Sequence, residues 1–245
     1  MEVMGQPANK LATDAAYQLW EDLRWYWPAF GNNGIGESNA VSALIRVLQK
    51  QSCCKNLDRS RGQSSYSFQA YTEVPSTPLS GGEGQGGAQP AKHRRLDLVV
   101  TWGCREYLEG RLLVEAKRLH NTSTAESLTR DIDRINEFRF IEENNDGAQV
   151  LNRLESDLGL IVALTCDKDL ADWWEGQFDI GKKGSMGRFP KRKWGQAWQD
   201  LGDALSGLVN PVGGFEELDW DELFDEGKGS EYFLYVFFSR SGHSV

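Results

Sequence analysis

Apolar positions recur along this chain with two different periods, and their order predicts its elements. In "DAAYQLWEDLRWYW", Tyr17, Trp20 and Trp27 fall near helical spacing, with Asp14 placed to cap the helix and the aromatic stripe expected in the core. "GNNGIG" interrupts that pattern. "ESNAVSALIRVLQ" predicts a second helix that Glu37 opens, with Val41, Leu44, Ile45 and Leu48 on one stripe. The weak alternation of "SYSFQAYTEV" predicts a strand, and residues 76 to 92, rich in Gly, Pro and Ser, a long flexible loop. Two apolar runs of strand length follow, "RLDLVV" and "LLVEAKRL", separated by a polar turn near Glu106 and Tyr107. After them, Leu128, Ile132, Ile135 and Phe138 mark an amphipathic helix, and "LGLIVALTC" is the unbroken run of a central strand covered on both faces. The chain closes with a basic segment, a short helix near 195 to 207, an acidic run read as a solvated helix face, and the strand "YFLYVFFS".

This order predicts an α/β layered fold with three parts in one globular unit. Residues 1–34 form a helical segment packed on the core. Residues 35–170 form the core with its loop at 76–92, and residues 171–245 a Trp-rich C-terminal elaboration that carries the basic segment 182–193. A chain of 245 residues with 40% hydrophobic content can bury a full core. Its polar start and its lack of a long apolar run predict no signal peptide and no membrane span, hence a cytoplasmic protein. Cys53, Cys54, Cys104 and Cys166 form neither a disulfide ladder nor a metal-binding pair, so reduced thiols are expected. The net charge of −9 excludes a protein that coats nucleic acid broadly, but leaves room for a local basic groove. "GEGQGG" matches a dinucleotide-binding pattern in letters only, because no helix pattern follows it.

Charge in the two runs changes the picture. Side chains alternate faces along a strand, so Asp97, Val99 and Thr101 share one face, and Leu113, Glu115 and Lys117 share one face of the next strand. In a hairpin Asp97 then lies across from Glu115 or Lys117, with Cβ atoms about 5 Å apart for a direct pair. Carboxylates this close repel one another and are desolvated, at a cost of several kcal/mol that a divalent cation offsets best. All-oxygen ligands select a hard ion, Mg²⁺ or Mn²⁺. Lys117 beside it can hold or help deprotonate water, or steady charge developing on a phosphate.

At these residues the sequence resembles the PD-(D/E)xK nuclease superfamily, the restriction-endonuclease-like fold. "RLDLVV" is similar to its aspartate-bearing strand, with Leu96 where a proline is frequent, and "LLVEAKRL" is similar to its E-x-K strand. The resemblance implies a mixed central sheet flanked by helices in the order α-β-β-β-α-β. It also implies roles: Asp97 and Glu115 bind the metal together with the backbone carbonyl of Ala116, Lys117 activates or positions water, and Glu37 orients a second metal or water. The expected activity is a Mg²⁺-dependent endonuclease of restriction, anti-phage defence or repair type that acts on DNA, with RNA left open. The Q-x-x-x-Y helix of the exonuclease branch is not found, which points away from a processive exonuclease. A homodimer and a partner protein in a larger complex both remain open.

Each residue also has a plainer reading. Asp97 can be a strand-edge carboxylate, Glu115 with Lys117 an exposed ion pair, and Glu37 an acidic residue favoured in a helix's first turn. Lys182, Lys183, Arg188, Lys191, Arg192 and Lys193, interleaved with Phe189 and Trp194, either contact nucleic acid or form a solvated loop. Arg94 and Arg95 border the site, and Arg130 and Arg134 on the following helix can face a phosphate backbone. His93, His120 and His243 form no metal spacing. The alternative to a nuclease is a catalytically silent DNA-binding or interaction subunit with the same fold.

Overall fold

The computed structural model describes residues 1–26, 36–58, 66–75, 95–104, 107–144, 147–150, 154–178, 195–219 and 230–240. A short hairpin, β1 (Glu2–Val3) and β2 (Gln6–Pro7), leads into helix α1 (Ala8–Tyr26). Helix α2 (Glu37–Asp58) precedes three strands, β3 (Tyr66–Pro75), β4 (Arg95–Cys104) and β5 (Tyr107–Arg118). Helix α3 (Thr122–Glu137), the small hairpin β6 (Ile141–Asn144) and β7 (Gly147–Val150), and strand β8 (Asp157–Thr165) follow. The chain continues through α4 (Lys168–Phe178), α5 (Gln196–Ser206), β9 (Val209–Asp219) and β10 (Ser230–Ser239).

Six strands make one mixed sheet in the order β3-β4-β5-β8-β10-β9. Only the β5–β8 pair is parallel, as a crossover through α3 permits; its neighbours are antiparallel. The period of two along each strand sends alternate side chains to two cores. Leu98, Val100, Leu112 and Val114 pack with α1 and α2, while Val99, Leu113, Ile161 and Ala163 pack with α3, α4 and α5. Every residue of β8 is buried, as expected of a strand with helices on both faces. Gly159 makes room in β8 for Phe238: a Cβ built there would lie 2.3 Å from the ring.

The α-β-β-β-α-β order from α2 to β8 is present, with β6–β7 inserted before the last strand. Residues beyond 170 supply α5 and two further strands of the same sheet. Three expectations need correction. Asp14 does not cap α1, which starts at Ala8, and Asp14 lies inside it, paired with Lys10. Tyr17 is 63% exposed; the buried face of α1 is Leu11, Ala12, Ala15, Ala16, Leu19 and Leu23. Glu216, Glu217 and Asp219 belong to the edge strand β9 and not to a helix. Trp27, the loop at 76–92 and the rest of the acidic run lie outside the described residues. Among the described residues no helix is long and apolar enough to cross a membrane.

Candidate active site

The β4–β5 ladder runs from Cys104–Tyr107 to Leu98–Val114 and stops there. β4 stays paired with β3 as far as Arg95, and β5 with β8 as far as Arg118, so the two strands part at Asp97. That divergence leaves the amides of β5 on its β4 side without a strand partner. Carboxylates replace it. Asp97 Oδ2 accepts from the N–H of Ala116 at 2.7 Å, and Glu37 Oε1 from the N–H of Arg118 at 2.8 Å. In an extended strand the N–H and C=O of one residue point to the same side, so the Ala116 carbonyl also faces the Asp97 side. Continuing the Leu98–Val114 register by one residue sets Asp97 across from Glu115, as the parity of the sequence requires.

Glu115 is 1% exposed and Asp131, on α3, is equally buried. Arg134, one turn along α3, bridges them: Nη1 lies 2.6 Å from Glu115 Oε1 and Nη2 2.8 Å from Asp131 Oδ1. The same Nη1 donates to the carbonyl of Arg95. Lys117 Nζ stands between two carboxylates, 3.8 Å from Asp131 Oδ2 and 4.0 Å from Glu37 Oε2. A capping box at Asn121 and Thr124 fixes the start of α3, the helix that carries Asp131 and Arg134 into this cluster. α2 delivers Glu37 in its first turn.

Burial pushes the Glu115 carboxyl up to about 9, with the negative charges of Asp131 and Asp97 adding to the effect and Arg134 opposing it. Asp97 and Asp131 are raised above the ordinary carboxylate range as well, burial being the largest cause in each. The cluster therefore holds four carboxylates, Glu37, Asp97, Glu115 and Asp131, against the two cations Lys117 and Arg134. With all groups ionised, two negative charges are in excess, which one divalent cation would balance. Among the described residues no group of three or more His, Cys, Asp or Glu side chains stands as a metal cage. The fit of a cation rests instead on donor chemistry: the carboxylates of Asp97, Glu115 and Glu37 and the Ala116 carbonyl are hard oxygen ligands suited to Mg²⁺ or Mn²⁺.

A cleft of about 670 Å³ opens on this end of the sheet, lined by Glu37, Ser38, Ser42, Glu73, Asp97 and Arg118 among others. Glu73 is held at φ 54°, between the Thr72–Leu98 and Val74–Leu96 pairs and opposite Asp97. A positive φ at a non-glycine residue is strained, and such strain collects at functional sites.

All four residues expected from the sequence, Glu37, Asp97, Glu115 and Lys117, meet here. Sequence reading missed Asp131 and Glu73. For Asp131 the signal existed: it lies on the buried stripe of Ala125, Leu128, Ile132 and Ile135, where a carboxylate has no ordinary place. Arg134, read as facing a phosphate backbone, is tied to Glu115 and Asp131 instead. Arg95 and Arg130 are exposed, and His120 is exposed at the end of β5 with its backbone N–H on Thr124 Oγ1. Arg94, Lys182, Lys183, Arg188, Lys191, Arg192, Lys193, His93 and His243 lie outside the described residues. No family model matches the chain, and comparisons with curated proteins and with solved structures find no match.

Proposed function

We propose that this chain is a metal-dependent nuclease acting on DNA, with a restriction-endonuclease-like core from α2 to β8. The observation that carries this reading is the meeting of Asp97, Glu115, Lys117 and Glu37 where β4 and β5 part, three carboxyl groups beside one ammonium. The antiparallel run β3-β4-β5, followed by an α3 crossover to parallel β8, supports the fold part of the reading.

Asp97, Glu115, the Ala116 carbonyl and Glu37 would hold the divalent cation, which when bound polarises the phosphodiester and eases deprotonation of the attacking water. Lys117 supplies positive charge to the phosphate oxygens as negative charge builds in the transition state. Asp131 and Glu37 hold the Lys117 ammonium from two sides, so it meets the reaction already oriented. Exposed Arg95 and Arg130 are placed to meet a phosphate backbone, and the basic residues from Lys182 to Lys193 are assigned the same role from sequence alone. Incubating the protein with supercoiled, linear and single-stranded DNA and with RNA, in Mg²⁺, Mn²⁺ or chelator, tests the proposal. Cation-dependent cutting of DNA that Asp97→Asn abolishes is expected; no cutting of any substrate contradicts it.

One observation favours a second reading. Arg134 already bridges Glu115 and Asp131 from within the fold and offsets one of their charges, as it would in a silent subunit that retains the scaffold and binds DNA or a partner without cutting. Metal-dependent thermal stabilisation separates the two: the nuclease melts at a higher temperature as Mg²⁺ or Mn²⁺ rises, and the silent subunit does not respond.

A further inference from the structure

The period of two along β5 sends Lys117 and Arg118 to opposite faces of the sheet. Lys117 shares the face of Leu113 and Glu115, where Asp131 of α3 holds it. Arg118 follows Val114 and Ala116 onto the face covered by α1 and α2. There it lines the cleft, together with Glu37, Glu73 and Asp97. Among the described residues of that lining three are acidic, and Arg118 alone is basic. A strand of phosphates entering the cleft thus meets repulsion from most of its walls and attraction from Arg118.

Arg118 is also built in from behind. β5 pairs with β8 at Arg118–Leu164, and β8 with β10 at Leu164–Phe233, so Arg118 Nη1 reaches across β8 to Glu231 Oε1 of β10 at 3.0 Å. The Glu231 side chain is 4% exposed, and that of Arg118 is 28% exposed. A pair that served only to join strands would be replaced by apolar side chains without loss, because desolvating two charges costs about as much as their attraction returns. In this pair the carboxylate alone is fully buried, and the guanidinium stays partly open to the cleft. A guanidinium carries five N–H donors in a planar fork, so one edge can hold a carboxylate while another holds a phosphate oxygen.

We infer that Arg118 binds a phosphate of the DNA strand in the cleft, with Glu231 as the residue that positions its guanidinium. The inference rests on the nuclease reading for the presence of DNA there, and adds to it a contact on the opposite face of β5 from Lys117. Lys117 is assigned to charge that develops in the transition state. Arg118 grips a phosphate that does not react, an interaction equal in ground and transition states, so its loss falls on KM and spares kcat.

Fluorescence anisotropy of a labelled DNA duplex with the full chain, over a salt series in chelator, and steady-state cleavage of the same duplex in Mg²⁺ test it. Wild type is compared with Arg118→Gln and with Arg118→Gln/Glu231→Gln, in which no buried carboxylate has lost its arginine. Both variants should bind about tenfold more weakly. The fall of log affinity with log salt should become shallower by about 0.9, the share of one phosphate contact. KM should rise about tenfold with kcat retained. A purely structural role for Arg118 would not move the salt slope of the folded double variant. An unchanged slope in that variant, or kcat falling with KM unchanged, overturns the inference and leaves the nuclease reading in place. The slope change without cutting of any substrate supports the Arg118 contact and overturns the nuclease reading instead. No binding of DNA by wild type overturns both.

Discussion

The Asp97 carboxylate accepts a 2.7 Å hydrogen bond from the backbone N–H of Ala116, the residue between the two charged positions of β5. One side chain thereby replaces the missing strand partner and brings negative charge beside Glu115. Asp97 thus has a backbone role and an electrostatic role, and substitutions separate them. Asn retains an oxygen for the Ala116 N–H but carries no charge, so Asp97→Asn should melt at or above wild type without metal and lose the response to Mg²⁺. Asp97→Ala orphans the amide as well and should cost about 1–3 kcal/mol. Thermal melting of both variants with and without Mg²⁺ reads the difference.

Arg134 is the internal counter-charge of Glu115 and Asp131. Removing one partner of a buried ion pair leaves the other uncompensated, so Arg134→Gln should lower the stability of the metal-free protein by about 3 kcal/mol. It should also enlarge the metal-induced rise in melting temperature, because the cation then meets less competition. Chemical denaturation in chelator and in Mn²⁺ checks both.

Stability without metal should fall as pH rises. The Glu115 carboxyl sits at about 9 in the folded protein against an ordinary value of 4.5. The native state thus keeps a proton that the unfolded chain releases, and stability present below about pH 4.5 is lost progressively as pH approaches 9. A cation must displace that proton, so apparent metal affinity should rise across the same window. Melting curves at pH 5, 7 and 9 in chelator, with Glu115→Gln flattening the trend, measure it.

Gly159→Ala should destabilise the protein by about 1–3 kcal/mol, since its Cβ would lie 2.3 Å from the ring of Phe238, which is fully buried. Denaturant titration gives the value directly.

What could be read from the sequence, and what could not, follows physical lines. The charges of β4 and β5 stood out because a period of two sets faces unambiguously, and apolar neighbours made charge conspicuous. The run that became β8 was legible for the opposite reason, an unbroken apolar stretch with no alternation, as a strand covered on both faces requires. Helix α1 misled because its buried face is built of Leu and Ala, the alanines small enough to let α2 approach, while the aromatic spacing drew attention to exposed Tyr17 and partly buried Trp20. β9 misled because "FEELD" is charged, as an edge strand in contact with solvent can be. Asp131 was passed over because a charge in an amphipathic helix is ordinarily on the exposed face. Only the fold reveals that α3 turns this one toward Lys117.

The most direct test of the central claim is the conversion of supercoiled DNA in Mg²⁺ by wild type and by Lys117→Ala, with the variant's fold verified by circular dichroism. Cutting by wild type and none by the folded variant is the predicted result. Equal cutting by the two would contradict the assignment of Lys117 and the site built around it.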